Sequence, residues 1–244
     1  MSGHSKWSKV KHQKAITDSA RGKIFTKMAN AITIATREGE SSDPNTNFKL
    51  RLAIEKARSY NMPKENIQRA IEKATHSGNA DGLNSVLYEA FAPFGIGLII
   101  EANTDNKQRT VSQIKNTLER GGGVLATRGA VSHLFEQRGK ITVIGAGDDI
   151  MEEAIDKGAI DLEEAGENEI QVFTHPADLH RMKQALEDKS VAVKDASLVY
   201  HPTTSIPVST KSEAQKILSL LDALENLDDV TNVFVNVDIP DELL

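Results

Sequence analysis

The chain has 244 residues, 39% hydrophobic and 26% charged, with a formal net charge of −6 and no cysteine. Without cysteine there can be no disulfide, thiolate zinc site, iron–sulfur cluster or cysteine nucleophile, and no apolar run approaches the roughly 18 residues of a membrane-spanning helix. The net charge averages two opposite parts: residues 1–76 hold 15 Lys+Arg against 7 Asp+Glu, and residues 77–244 hold 14 against 28, so a +8 segment leads a −14 remainder.

The stretch GHSKWSKVKHQKA, residues 3–15, contains four lysines, two histidines, the only tryptophan and no acid. Residues 1–17 lack helical periodicity and are expected to form an irregular arm. Positive charge with no apolar stretch behind it is not a secretory signal, and lysine in place of arginine argues against a mitochondrial presequence. Asp18 then predicts an N-cap, with Ile24, Phe25, Met28, Ile32 and Ala35 at helical spacing and Gly39 as the stop. A second helix is expected from Asn47 to Ser59. Pro63 suits the first turn of a third, whose apolar side is Ile67, Ala70, Ile71 and Ala74 and which Gly78 closes. Three short helices make a thin-cored bundle.

After a linker over 77–85 the period changes to that of strands. VLYEAFAP (86–93) and GIGLIIEAN (95–103) predict a hairpin around Pro93-Phe94-Gly95. A helix over 106–120 follows, stopped by the glycines 121–123, and then a strand near 130–136. From Gly139 the pattern is strand 140–144, helix 148–157, strand 159–164, strand 168–174, helix 176–188 and strand 191–200, the β-α-β-β-α-β order of ferredoxin-like units. This unit carries 14 acids and 6 bases over 139–201. IPVS, a helix from Lys211 to Asn226 and VTNVFVNVDI complete the chain. The expected class is α+β, with domains at 1–78, at 79–138 together with 202–244, and an inserted acidic domain at 139–201.

The basic strip carries the chemistry. Lys6, Lys9, Lys11 and Lys14 offer ammonium groups to phosphates, which sets affinity and orientation without reading sequence. His4 and His12 can donate to phosphate or stack, and Trp7 can stack on a base or ribose. Arg21, Lys23 and Lys27 extend the charge onto the first helix, with Arg51, Arg58, Arg69 and Lys73 on the other two. The alternative for Trp7 is a plug folded onto the bundle. A second cluster is TDNKQRT (104–110), where Asn106 or Asp105 would cap a helix beside Lys107 and Arg109. A helix N-terminus with cations suits an anion, although an ordinary turn with solvated cations accounts for the same residues. Neither GIG (95–97) nor GAG (145–147) has nucleotide-loop spacing, His175 and His180 are off the spacing of a helical zinc pair, and the acid pairs Asp148-Asp149 and Glu163-Glu164 read as solvent-facing. No cofactor, metal or catalytic constellation is expected.

GHSKWSKVKHQKAITDSARGKIFTK resembles the signature N-terminus of the YebC/PmpR family, which includes the mitochondrial translational activator of cytochrome c oxidase. NMPKENIQRAIEKA, YEAFAPFGIGLIIEANTDNKQRTVSQIK and GGVLATRGAVSHLFEQRGKI are similar to that family too, with mild departures at Gln108 and Ser132-His133. The resemblance covers nearly the whole chain. It implies a non-enzymatic, three-domain protein that binds nucleic acid, either as a DNA-binding transcriptional regulator or as a ribosome-associated translation factor that helps synthesis through prolines. It also marks Gly3 to Lys14 and the TDNKQRT turn as functional. A third alternative is an acidic protein-interaction scaffold. The expected partners are DNA, ribosomal or transfer RNA, or the ribosome, with no membrane and no small-molecule substrate, for a cytoplasmic monomer.

Overall fold

A computed structural model describes residues 18–77, 82–145, 148–166 and 168–243. The strip residues His4, Lys6, Trp7, Lys9, Lys11, His12 and Lys14 lie outside the described residues, as does Gly78.

Helices α1 (Asp18–Glu38), α2 (Phe48–Ser59) and α3 (Lys64–Ser77) bury one stripe each. Met28, Ile32 and Ala35 of α1 meet Leu50, Ile54 and Ala57 of α2 and Ile67, Ala70 and Ile71 of α3, with Met62 between them. Asn47 sets the start of α2. Its side-chain oxygen accepts from the Leu50 N–H at 3.0 Å, and its carboxamide donates to the carbonyls of Ala35 (2.9 Å) and Ser41 (2.8 Å). This cap sits against Gly39, where a Cβ would come within 2.2 Å of Asn47 Nδ2. Gly39, directly after α1, therefore makes room for the cap of α2, while the left-handed residue after the helix is Glu40, φ 51°.

The first sheet has the order β3 (Val124–Leu125), β1 (Asn84–Phe91), β2 (Gly97–Thr104), β9 (Val230–Val235). Strands β1 (Asn84–Phe91) and β2 (Gly97–Thr104) pair antiparallel from Asn84↔Thr104 to Phe91↔Gly97, joined by a 3-10 turn over Pro93–Gly95. Phe94 in that turn has φ 67°, a left-handed conformation that costs a non-glycine residue about 1–2 kcal/mol. Helix α4 (Lys107–Gly121) follows β2 and ends at Gly122, φ 79°. The Gly122 N–H donates to the Glu119 carbonyl and the Gly123 N–H to that of Leu118, the paired bonds of a Schellman motif.

Strand β3 (Val124–Leu125) is two residues long, too short for any periodicity to announce it. The chain then leaves this sheet and returns to it only with β9 (Val230–Val235), which pairs with β2. Helix α7 (Lys211–Glu225), closed at its start by a Thr210/Glu213 capping box, packs with α4 on one face of the sheet. Leu98, Ile100, Val233 and Val235 point to these helices, against Ile114, Leu118, Ile217 and Leu221. Beyond the sheet, β8 (Ile206–Pro207) pairs parallel with β10 (Val237–Asp238).

The second sheet consists of β4 (Phe135–Ile144), β5 (Asp161–Gly166), β6 (Glu169–Thr174) and β7 (Ala192–Pro202), ordered β5-β6-β4-β7 with every neighbour antiparallel. With α5 (Asp148–Asp156) and α6 (Leu179–Asp188) on one face, this is the ferredoxin-like arrangement. The chain is thus mixed helix and sheet, a helical leading part followed by two helix-backed sheets.

Strand β4 is one ten-residue element and not two strands at 130–136 and 140–144. Residues 132–134 form a 3-10 turn, and the strand starts at Phe135. Its first half pairs only with β7, because β6 begins to pair at Gly139↔Thr174. Glu136 and Gln137 are therefore exposed, which breaks the apolar alternation.

The two sheets meet through the faces their helices leave uncovered. Ile99 and Phe234 of the first pack against Phe135, Phe173 and Val199 of the second, with the Tyr200 ring edge-on to Phe234 at 5.4 Å. The connection into β4 is anchored by Glu89 of β1, only 4% exposed. Its carboxylate accepts from the N–H groups of Gly129 (2.7 Å), Val131 (2.6 Å) and Ser132 (2.9 Å). Burial alone would raise its pKa, but these bonds outweigh it and hold the carboxyl below the ordinary range.

Candidate nucleic-acid interface

Of the expected contacts within the described residues, most have partners inside the protein. The end of α7 and the turn from it to β9 collect three of them. Lys23 Nζ lies 3.0 Å from Asp228 Oδ1, and Lys27 Nζ donates to the Glu225 carbonyl at 2.6 Å. Arg109 donates to both oxygens of Asp229 (3.0 and 2.9 Å) and to Asp105 (2.8 Å). Hydrogen bonds to Asp229 first, then to Asp105, raise the Arg109 pKa further above its ordinary value. Asp229 also accepts from the hydroxyl of Thr110 at 2.7 Å.

Beside the start of α4, the anion held by Arg109 and Thr110 is thus Asp229. Asn106 is the N-cap, its side-chain oxygen accepting from the Arg109 N–H at 3.0 Å, while its own N–H donates to the Thr104 hydroxyl. Lys107 is exposed and has no ionic partner among the described residues. In the TDNKQRT turn, Lys107 alone of the basic side chains faces outward without a partner, and the solvated Arg109 of an ordinary turn is corrected to a paired one. Arg21 is exposed near the start of α1.

Opposite charge thus also operates within the molecule, holding the basic helices on the acidic body. Lys56 of α2 donates to Asn232 of β9 at 3.3 Å, and Asn232 donates to Glu101 of β2 at 2.7 Å. Burial raises the Glu101 pKa, against the opposing influence of Asn232 and Lys56. Lys183 of α6 bridges Glu55 of α2 (2.9 Å) and Glu187 (3.1 Å). Lys140 lies beside this junction with its pKa lowered by burial. Sequence separations of 128 to 198 residues across Lys183–Glu55, Lys56–Asn232 and Lys27–Glu225 hid these pairs from local pattern reading.

Arg58, Lys64, Arg69 and Lys73 of the helical part are also exposed. Arg69 and Lys73 border a groove of about 330 Å³ between α1 and α3, with Asn30 and Asn66 on its walls and Phe25 and Met62 within it.

Asp161, Glu163 and His201 bring ligand atoms within 4.8 Å of one another. Arg138 already supplies a cation there, 3.5 Å from Asp161 and 3.0 Å from Glu136, and burial, then Arg138, lowers the His201 pKa. Glu163 is half-buried and not solvent-facing like Glu164. The His180 ring packs on Phe48 at 5.2 Å.

A family model described as the TACO1/YebC protein N-terminal domain matches residues 5–77, and one described as the TACO1/YebC second and third domain matches residues 83–237. The chain belongs to the TACO1/YebC family. Among its relatives, proteins from Chloroflexus aurantiacus (43% identical, covering 100% of this chain and 98% of that protein) and Syntrophomonas wolfei (40%, 100% and 99%) are each named a probable transcriptional regulatory protein. A crystal structure of a conserved hypothetical protein from Aquifex aeolicus superposes with a TM-score of 0.86 at 39% identity, covering 93% of this chain and 94% of that one. The TACO1/YebC N-terminal match, over residues 5–77, takes in most of the basic strip together with α1 to α3.

Proposed function

We propose that this chain is a nucleic-acid-binding regulator of gene expression that acts by binding and not by catalysis. The observation that carries the reading is the separation of charge, +8 over residues 1–76 against −14 over 77–244, with an acid-free, Trp-bearing strip at the basic end. A polyanion is drawn to that end and repelled by the rest, which orients docking. The exposed Arg58, Lys64, Arg69 and Lys73 add positive charge on the described helices, and the exposed Lys23 and Arg109 are paired to acids of the same chain. The relatives' names, probable transcriptional regulatory proteins, support a role in transcription, for which DNA is the partner proposed here.

One observation favours RNA or the ribosome as a second reading. A helix that reads the major groove presents Asn, Gln or Arg to base edges. The exposed side of α3 instead mixes Glu65 and Glu72 with its cations, and Gln68 donates its amide to Glu72 at 3.0 Å. A basic arm with an aromatic suits folded RNA better than a duplex groove.

Competition binding at fixed physiological salt separates these. Preference for one duplex over its scrambled sequence supports a DNA regulator. Co-sedimentation with ribosomes, with ribosomal RNA outcompeting duplex DNA, supports the second reading. A protein that ignores duplex DNA, RNA and ribosomes alike overturns both.

A further inference from the structure

The β1–β2 turn presents an aromatic ring where a soluble protein gains nothing by placing one. Phe94 is 51% exposed and sits at φ 67°, the left-handed region that favours glycine. A strained residue persists only where its surroundings hold it, and such residues gather at functional sites. The surroundings here are specific. Val124 of β3, whose neighbour Leu125 pairs with Ala90, is 58% exposed. The glycine run at the end of α4 lets three elements converge behind the ring. A Cβ at Gly121 would meet Leu220 of α7 at 2.6 Å, one at Gly123 would meet the Phe91 carbonyl at 2.7 Å, and one at Gly122 would touch Pro93 at 3.5 Å.

A cation stands beside the ring, within a part of the chain whose net charge is −14. Lys216 of α7 reaches over the glycine run, and its Nζ stands 5.9 Å from the Phe94 ring centre. Arg120, exposed in the last turn of α4, has no ionic partner among the described residues. The nearest acid in sequence, Glu119, faces Lys115 at 3.8 Å. An exposed ring with a cation beside it is a combination with which proteins hold single-stranded nucleic acid, the ring stacking on a base and the cation meeting the backbone.

We infer that the Phe94 tip, with Lys216 and Arg120, is a second nucleic-acid contact on the acidic body, stacking one unpaired base. It rests on the nucleic-acid reading above and adds to it a single-stranded element of the partner and a contact remote in sequence from the basic strip.

The test uses the full chain and a single-stranded RNA oligomer carrying 2-aminopurine, whose fluorescence reports stacking. Wild-type protein should change that fluorescence on binding. Phe94→Gly should abolish the change and weaken binding about 5- to 150-fold, while its thermal midpoint stays level or rises because glycine adopts the turn without strain. Phe94→Trp should restore both signals. Lys216→Gln with Arg120→Gln should reduce the log–log salt slope by roughly one to two. If wild type and Phe94→Gly bind the oligomer equally and quench it equally, the inference falls and the nucleic-acid reading stands. Wild type that ignores oligomer, duplex and ribosome alike overturns both. A dimer of this chain that Phe94→Gly dissolves, with RNA binding unchanged, would assign the tip to a second copy and overturn the inference.

Discussion

Replacing Glu89 by Gln tests how the two sheets are joined. The carboxylate receives one N–H at Oε1, from Gly129, and two at Oε2, from Val131 and Ser132. A Gln can turn its oxygen to the pair, but its own NH2 group then faces the Gly129 N–H, donor against donor. One buried donor loses its acceptor, at about 1–3 kcal/mol, and the two surviving bonds lose their charge assistance. The expected destabilisation is about 2–4 kcal/mol at pH 7. Its pH dependence follows from the lowered pKa. A carboxyl held below its unfolded value contributes stability that is fully present above that unfolded value, and loses it as pH falls through the folded one. The gap between wild type and Glu89→Gln, measured by urea denaturation, should therefore be full at pH 7 and close as pH drops below about 4.5. A gap under about 0.5 kcal/mol at pH 7, well below the range for a buried hydrogen bond to charge, or one that widens in acid, would refute the reasoning.

Glu101 should behave in the opposite sense: its pKa is raised by burial, so the fold loses stability as pH climbs from the ordinary carboxyl range into the raised one. Glu101→Gln should melt higher than wild type at pH 7 and lose that advantage near pH 4, as differential scanning calorimetry would show. Asp229→Asn should lower the melting temperature by removing the charged partner of Arg109 and an acceptor for Thr110, yet leave the salt slope of nucleic-acid binding unchanged; a steeper slope would return Arg109 to the binding surface. Gly39→Ala should cost about 1–3 kcal/mol by forcing the Asn47 cap aside, and an unchanged urea midpoint would contradict that packing.

Much of the fold was legible because its elements carry local signals. The helical stripes of α1 to α3, the Asn47 start of α2, the Pro93-Phe94-Gly95 hairpin and the strand–helix order from Gly139 all showed in the residues themselves. Strand β4 was misread where it runs past β6 and has only one neighbour, because exposed polar residues there leave no period-2 trace. The candidate site was legible in charge and not in pairing. Lys23, Lys27 and Arg109 look like phosphate contacts when read along the chain. Apart from the local Asp105 of Arg109, their partners Glu225, Asp228 and Asp229 lie at the end of α7 and in the turn after it, more than a hundred residues away. The grouping of Asp161 and Glu163 with His201 was hidden because it joins β5 and β7, which are neighbours neither in the chain nor in the sheet order.

The central claim is that the leading basic strip grips phosphate. The most direct measurement is the salt dependence of nucleic-acid affinity for wild type and for a variant with Lys6, Lys9, Lys11 and Lys14 all changed to Gln. Four lost phosphate contacts should flatten the log–log slope by roughly three to four and weaken binding most at low salt. Equal slopes for the two proteins would contradict the account.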